Sequence, residues 1–198
     1  LNSEAALETV LGEAFPWCLG WETELKQLFA AYEQAKHDQQ LLDYDDLLLD
    51  WAELLAEPAL AQQVGGAFDH VLVDEYQDTN RVQARILQRL KPDGRGLTVV
   101  GDDAQSIYAF RAAEVRNILD FPTQFTPPAR IVTLERNYRA TQPLLTAANA
   151  VIALAAERHA KQLWTDRASS ARPLLVAVED DMAQARWVAD EVLAQREM

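Results

Sequence analysis

The chain has 198 residues, of which 49% are hydrophobic and 25% are charged, a composition typical of a folded globular protein rather than a disordered one. Its formal net charge of −13 argues against a protein that binds nucleic acid or an anionic membrane mainly through bulk positive charge. The single cysteine, Cys18, has no partner for an internal disulfide, which fits a reducing compartment and predicts a small buried apolar residue.

The sequence has no apolar run as long as the roughly 20 residues of a membrane-spanning helix, and its start lacks the basic and apolar regions of a signal peptide. We therefore predict a cytoplasmic protein with no membrane partner. The three histidines are scattered, so a structural zinc site is not expected. Because the chain begins with Leu1 rather than Met and enters a helical pattern directly, we expect a piece of a longer protein.

The first third of the chain is acidic and predicted to be all-helical. Residues 1–64 hold 13 of the 31 acidic residues but only two of the 18 basic residues, so most of the negative charge lies there. From Glu4 to Glu57, apolar residues recur at spacings of three and four, the period of an amphipathic helix. Asp43 is placed to begin one of these helices, with Asp45 and Asp46 in its first turn, where negative charge suits the helix dipole.

After Gly65-Gly66 the pattern changes to one of strands alternating with helices. Four short runs of apolar or β-branched residues, each bounded by turn signals, predict buried strands at residues 70–73, 97–100, 131–134 and 173–178. Apolar residues at helical spacing predict helices at residues 80–90, 141–157 and 180–195. This alternation predicts βαβ units, and therefore an α/β fold with a parallel sheet.

Acidic residues follow two of the predicted strands. Asp74 and Glu75, with Asp78 close by, follow the first strand, and Asp102 and Asp103 follow the second. Ligands of an open parallel sheet bind beyond the carboxyl ends of the strands. An apolar strand followed by Asp-Glu is the arrangement with which nucleoside triphosphatases hold magnesium and orient the attacking water. By itself the Asp-Glu dipeptide is weak evidence for such a site, because two solvated acidic residues in a loop can have the same sequence.

Longer motifs accompany this dipeptide, in a fixed order along the chain. Three are central: VDEYQDTN at 73–80, VGDDAQSIYAFR at 100–111 and LERNYR at 134–139. Three more flank them: LDYDDLL at 42–48, KQLWTD at 161–166 and ARWVA at 185–189. With these motifs in this order, from about residue 42 to 192, the chain closely resembles the superfamily 1 DNA helicases of the UvrD/PcrA/Rep type.

The resemblance implies a RecA-like parallel sheet with flanking helices, present here as partial motor domains. By this resemblance, residues 1–64 are an acidic helical segment that ends a 1B-like insertion and leads into the motor. Residues 65–136 are the second half of the first RecA-like motor domain, and residues 137–198 are the start of the second one. The helix that Asp43 begins resembles a segment packed beneath the DNA track. Asp45 and Asp46 are therefore expected to be structural rather than catalytic.

The resemblance also implies roles for single residues at a nucleotide site. Asp74 would hold Mg²⁺, and Glu75 would be the general base for hydrolysis of ATP. Gln105 would sense the γ-phosphate and relay its presence to the DNA site. Tyr138 would stack on the adenine ring, and Arg139 would reach the γ-phosphate, where a guanidinium fork suits growing negative charge.

A DNA-binding loop is implied as well. Tyr108 and Phe110 resemble the aromatic residues beside single-stranded DNA, where stacking of about 1–3 kcal/mol per base tolerates any sequence. Arg111 would either contact a DNA phosphate or brace the loop. Core packing is the alternative interpretation for the two rings, and a surface ion pair with an acid such as Glu135 is the alternative for Arg139.

One motif of such an ATPase is absent from these residues. A glycine-rich loop ending in Gly-Lys-Thr/Ser cradles the β and γ phosphates, but none of the four lysines, Lys26, Lys36, Lys91 and Lys161, follows a glycine. The later family motifs would lie beyond Met198. We therefore expect a fragment, inactive alone, of an ATP- and Mg²⁺-dependent 3′-5′ DNA helicase that acts on single-stranded DNA and 3′-tailed duplex DNA.

Two other interpretations stay open at this stage. One is a naturally truncated, non-catalytic helicase-like protein that binds DNA or a partner. The other is an unrelated Mg-dependent ATPase whose acidic strand ends converge by chance, against which the Asn137-Tyr138-Arg139 match argues. The DNA repair or replication pathway, an attached nuclease domain, the oligomeric state and any repair-protein partners are not determined by these residues.

Overall fold

A computed structural model describes residues 5–196 of the chain. Glu4, at which the predicted helical pattern begins, lies outside the described residues, as do the rest of 1–4 and 197–198. By its internal contacts the chain divides into two units. The first unit extends through Val132 and includes Glu157–His159, and the second consists of Thr133–Ala156 and the residues from Ala160 onward. The predicted boundaries after residues 64 and 136 stay predictions.

Four helices form the N-terminal part of the first unit: α1 (Leu7–Ala14), α2 (Glu22–Gln39), α3 (Tyr44–Leu54) and α4 (Pro58–Gly66). A 3-10 turn at Pro16–Trp21 joins α1 to α2 and holds Cys18, which is half-buried rather than buried. Asp43 caps α3 as predicted. Its carboxylate accepts the backbone N–H of Asp46 at 2.9 Å, and the carboxylate of Asp46 accepts the backbone N–H of Asp43 at 2.8 Å.

A buried lysine joins α2 to α3 through what we call the Lys36 clasp. Its Nζ lies 2.7 Å from Asp46 Oδ1, 3.1 Å from Asp43 Oδ2 and 3.0 Å from Glu33 Oε1. The Tyr32 hydroxyl donates to Asp43 at 2.9 Å. The pKa of Asp43 is lowered to about 2. The main cause is the hydrogen bond from the backbone N–H of Asp46, and the next largest favourable cause is the hydrogen bond from Lys36. Burial alone would lower the pKa of Lys36, but hydrogen bonds to Asp46, Glu33 and Asp43 outweigh it and raise that pKa.

One βαβ unit follows, consisting of β1 (Val71–Val73), α5 (Arg81–Leu90) and β2 (Leu97–Val99). The two strands are parallel, and Val73 lies opposite Val99 in the register. Asn80 caps α5, with reciprocal hydrogen bonds to Gln83 that close a capping box. The predicted α/β class and the helix at residues 80–90 are confirmed, with a small parallel sheet.

Two apolar clusters meet at α5. Helix α3 packs on one side of α5, and the buried members of that cluster are Ala52, Leu55, Val82, Ile86 and Leu90. The second cluster covers one face of the sheet, together with the short helix α6 (Arg116–Asp120), and its buried members are Tyr76, Ile118, Phe121 and Phe125. Leu87 of α5 and Val73 and Val99 of the strands pack against this second cluster. Helix α5 therefore connects the helical part to the sheet.

The second unit contains the helices α7 (Gln142–Ile152) and α8 (Asp181–Arg196). Both predicted helices are confirmed, although α7 ends at Ile152 rather than at residue 157. Across residues 5–196, no helix combines the length and the hydropathy needed to cross a membrane.

The third and fourth predicted strands are wrong. Within the described residues, 131–134 and 173–178 form no strand, and the pairing near them is an isolated parallel bridge between Arg136 and Trp164. Leu134 and Leu175, expected to be buried, are 78% and 95% exposed. A strand needs a neighbour that satisfies its backbone N–H and C=O groups, and the described residues give these two segments no such neighbour. Residues 5–196 therefore show a sheet of two strands, and a complete RecA-like sheet is not shown by them.

The packing of α4 against α5 predicts opposite effects at two adjacent glycines. A Cβ on Gly65 would collide with the backbone carbonyl oxygen of Leu90, whereas a Cβ on Gly66 meets nothing within 4 Å. We expect Gly65→Ala to lower the free energy of unfolding by about 1–3 kcal/mol. Gly66→Ala is the matched control, and we expect it to be neutral or to stabilise by up to about 1 kcal/mol. Urea denaturation measures both, and equal effects would contradict this packing.

The Lys36 clasp predicts a stabilisation that acid removes. A carboxyl whose pKa is lowered by folding stabilises the folded state above its unfolded pKa, about 4, and loses that effect as the pH falls toward the folded value. The raised pKa of Lys36 keeps its own contribution present below about pH 10 and loses it only at higher pH. We therefore expect the stability gap between wild type and Lys36→Met to persist from about pH 5 to 9 and to shrink between about pH 4 and 2.

The exposed ion pair of Lys26 with Glu22 on the same helix provides the control. Thermal unfolding of Lys26→Met should differ little from wild type at every pH, because exposed pairs contribute little. A gap for Lys36→Met that stays constant into acid would contradict the role of the clasp carboxylates.

Candidate functional site

The parallel pairing brings two of the acidic strand ends to one edge of the sheet. The carbonyl oxygen of Val73 accepts the N–H of Val100 at 2.7 Å, and the carbonyl oxygen of Val100 accepts the N–H of Tyr76 at 3.0 Å. The two segments that follow β1 and β2 therefore leave the sheet side by side. Asp74 and Asp102, the next residues with side-chain carboxylates after these strands, both lie at this edge.

Glu75 has an unusual backbone conformation at this edge. Its φ of 50° and ψ of 43° lie in the left-handed region, which costs a non-glycine residue roughly 1 kcal/mol or more. Its N–H donates to Asp74 Oδ1 at 2.9 Å, and its Oε2 accepts from Gln77 Nε2 at 2.7 Å. The Glu75 side chain is exposed to solvent while its carboxylate is held by a neighbour.

Gln77 joins the two strand ends, although sequence reasoning gave it no role. Its side chain is 1% exposed, and its Oε1 accepts the backbone N–H of Asp102 at 2.9 Å. Farther along, Gln105 Nε2 donates to Asp102 Oδ2 at 2.9 Å. A hydrogen-bonded series therefore runs from Glu75 through Gln77 and Asp102 to Gln105. The residues at its two ends, Glu75 and Gln105, are both predicted site residues. Nothing in the local sequence pattern identifies a glutamine whose second partner is 25 residues away.

Magnesium fits Asp74 only as part of a nucleotide complex. The described residues bring together no group of three or more His, Cys, Asp or Glu side chains that could hold a metal ion by themselves. Mg²⁺ keeps several waters and is commonly held by one or two carboxylates together with substrate phosphates. A single exposed carboxylate at a strand end suits that binding mode and does not suit an all-protein metal cage.

Two rings and an arginine form a cluster after β2. The centroids of Tyr108 and Phe110 are 5.8 Å apart at an interplanar angle of 48°. The Arg111 Cζ lies 5.3 Å from the Tyr108 centroid and 5.6 Å from the Phe110 centroid, within cation–π range. Phe110 is 77% exposed and Tyr108 is 37% exposed, so Phe110 is not a core residue of the first unit. Arg111 therefore contacts both rings of this loop, and its two predicted roles stay predictions.

In the second unit, Asn137 and Arg167 position the loop that carries Tyr138 and Arg139. Asn137 Oδ1 accepts the backbone N–H groups of Arg139 at 2.9 Å and Ala140 at 2.7 Å. Arg167 Nη1 donates to the carbonyl oxygens of Tyr138 at 3.1 Å and Arg139 at 2.8 Å. The sequence motif contained Asn137, but the contribution of Arg167 comes from a distant segment and was not predicted.

The Tyr138 ring is exposed and is supported by Arg136. The Arg136 Cζ lies 4.9 Å from the Tyr138 centroid and 5.3 Å from the Trp164 centroid, and its guanidinium also pairs with Asp166. Tyr138 is 73% exposed. An arginine against the ring leaves much of its surface available for a planar ligand such as a base.

The Arg139 side chain is exposed as well. In the described part of the chain its guanidinium makes no ion pair with Glu135, whose carboxylate instead accepts the N–H of Gln162 at 2.8 Å. The predicted site residues thus fall into two groups. The first unit holds Asp74, Glu75, Gln105, Tyr108, Phe110 and Arg111, and the second unit holds Tyr138 and Arg139.

Comparison with known proteins identifies similar sequences along most of the chain. A family model for the UvrD/REP helicase N-terminal domain matches residues 21–126, and one for the UvrD-like helicase C-terminal domain matches residues 132–198. The ATP-dependent DNA helicase UvrD1 of Mycobacterium tuberculosis is 42% identical over 179 residues, covering 86% of this chain and 23% of the relative.

Two further relatives come from other bacteria. DNA helicase II of Escherichia coli is 38% identical over 172 residues, which is 86% of this chain and 24% of the relative. The putative ATP-dependent DNA helicase YjcD of Bacillus subtilis is 36% identical over 184 residues, which is 92% of this chain and 24% of the relative. The chain thus spans about a quarter of the length of the curated relatives that it matches.

Proposed function

Because the chain belongs to the UvrD/REP helicase family, we propose that it is part of an ATP-dependent DNA helicase that moves 3′-5′ on single-stranded DNA and unwinds 3′-tailed duplex DNA. One observation carries this proposal: the hydrogen-bonded series from Glu75 to Gln105 ends three residues before the exposed Tyr108–Phe110 cluster begins. This series supports a connection between Glu75, the proposed hydrolytic carboxylate, and the proposed DNA-binding loop that holds Tyr108 and Phe110. The names of the relatives support ATP and DNA as substrates.

In the proposed reaction the carboxylate of Glu75 accepts a proton from the water that attacks the γ-phosphate. Asp74 would hold Mg²⁺, which would offset the negative charge of the phosphate oxygens. Gln105 contacts the γ-phosphate, and Arg139 stabilises the charge that develops on it. Tyr138 stacks on the adenine ring, and its exposure supports that role.

The proposed DNA contact relies on stacking more than on charge. Phe110 and Tyr108 stack on bases, which requires no particular sequence because every base has a π face. Residues 65–198 carry nearly balanced charge, with 18 acidic and 16 basic residues, so the acidity of the chain belongs mainly to its helical third. A weakly charged loop with exposed rings suits transient contact with successive bases.

We assign hydrolysis to the protein that contains this chain rather than to these 198 residues. The chain has no Gly-Lys-Thr/Ser loop, and therefore no phosphate cradle of that type within its own sequence. A cytoplasmic location and the absence of a membrane partner are part of the proposal.

The first prediction concerns the general base. In the complete protein, we expect Glu75→Gln to lower kcat for DNA-stimulated ATP hydrolysis by about 10²–10⁴-fold with little change in ATP binding, because glutamine cannot accept the proton. The 198-residue chain by itself should release no phosphate from ATP with single-stranded DNA. Phosphate-release kinetics measure both. Hydrolysis by the short chain that disappears on Glu75→Gln would contradict the assignment to the complete protein.

The second prediction concerns the loop. In the complete protein, we expect Phe110→Ala to weaken binding of single-stranded DNA by about 5- to 150-fold, the equivalent of about 1–3 kcal/mol of stacking, and to leave ATP affinity nearly unchanged. Phe68→Ala is the matched control, since Phe68 is also exposed, at 55%, and lies outside the loop. Fluorescence anisotropy with a labelled oligonucleotide compares them, and equal DNA affinities would exclude the stacking role.

A further inference from the structure

We propose that Gln77 is a positioning residue that holds the Glu75 carboxylate and ties it to the loop beginning at Asp102, so that ATP hydrolysis responds to DNA at that loop. The proposal rests on the function proposed above. It adds to that function a residue that touches neither nucleotide nor DNA and acts through Glu75.

Both ends of the Gln77 amide are used, and each end can serve only its present partner. Nε2 donates to the Glu75 carboxylate at 2.7 Å, and Oε1 accepts the N–H of Asp102 at 2.9 Å. Turning the amide over would place an acceptor against the carboxylate and a donor against an N–H. The two partners therefore fix the orientation of the amide. Glutamine is a side chain that can both donate to a carboxylate and accept from a backbone amide.

Packing prevents the amide from moving alone. Gln77 is 1% exposed and follows Tyr76, which is also buried, in the cluster with Ile118. A Cβ at Gly101 would lie 2.6 Å from Gln77 Oε1 and 2.6 Å from Ile118 Cδ1. Gly101 is therefore the residue that leaves room for the amide to reach Asp102.

The other members of the series are also bonded to one another. Asp102 accepts from Gln105 Nε2 at 2.9 Å and from the N–H of Ala104 at 3.0 Å, so the turn after β2 is internally bonded. Glu75 occupies a left-handed conformation that leaves its backbone little freedom. A shift of this turn therefore reaches the Glu75 carboxylate through Gln77.

The test uses two substitutions at Gln77 in the complete protein. Gln77→Met has similar length and removes both hydrogen bonds. Gln77→Glu keeps an acceptor for Asp102 but places a second carboxylate against Glu75. For Gln77→Met we expect kcat at saturating single-stranded DNA to fall about tenfold or more, less than on loss of the base itself, with the KM for ATP within about twofold of wild type.

Gln77→Glu separates the two ends of the amide, because it keeps the acceptor for Asp102 and loses the donor to Glu75. We therefore expect it to lower kcat at saturating single-stranded DNA at least as much as Gln77→Met does, with the KM for ATP again within about twofold of wild type. In both variants we also expect single-stranded DNA to stimulate hydrolysis less than in wild type, an effect that a merely structural role would not produce. If Gln77→Met fails to fold, as judged by circular dichroism, the split between kcat and KM in Gln77→Glu carries the test.

Gln88 is the matched control, because it is exposed and bonds only to Gln124 in the described structure, at 3.1 Å. Gln88→Met and Gln88→Glu should keep the wild-type kcat and the wild-type stimulation by DNA. Wild-type kcat and wild-type DNA stimulation in both folded Gln77 variants would overturn the inference. An unmutated protein without DNA-stimulated hydrolysis, or one unaffected by Glu75→Gln, would instead overturn the proposed function.

Discussion

The parallel pairing of β1 with β2 is the constraint on which the rest of the site depends. The pairing places Val73 beside Val99, so the segments that follow the two strands leave the sheet at the same edge. Without that register, the Gln77 amide could not reach Asp102, and Glu75 would have no connection to the loop. The strands are only three residues each, so their stability comes from the cluster that covers one face of the sheet.

Helix α5 supplies that support from two directions. Val82, Ile86 and Leu90 pack toward α3, while Leu87 packs toward the sheet. The capping box at Asn80 begins the helix directly after the Asp74–Asp78 turn, so the end of that turn is fixed by the start of the helix. Asn117 of α6 adds to this by donating to the carbonyl oxygen of Asn80 at 3.2 Å. These contacts hold the turn at the edge of the sheet where the buried Gln77 amide lies.

Local patterns in the sequence predicted the parts of the fold that local interactions determine. The capped helix at Asp43 and the helix at residues 80–90 depend on spacing and end residues, and both are present. The strands at 131–134 and 173–178 depended on neighbouring strands that local spacing cannot supply. The same limit applies to the site. Glu75 belongs to a recognisable motif, whereas the second partner of Gln77, Asp102, and the carbonyl partners of the Arg167 guanidinium lie 25 or more residues away along the chain.

The same contact between an arginine and two aromatic rings occurs in each of the two units, and it suits the proposed stacking on an acidic chain. Arg111 lies over Tyr108 and Phe110, and Arg136 lies over Tyr138 and Trp164. An arginine against a ring limits the rotation of that ring, which would lower the entropy lost in the proposed stacking of a base or an adenine. Positive charge is therefore used here to orient aromatic surfaces, and the negative net charge of the chain does not oppose that use.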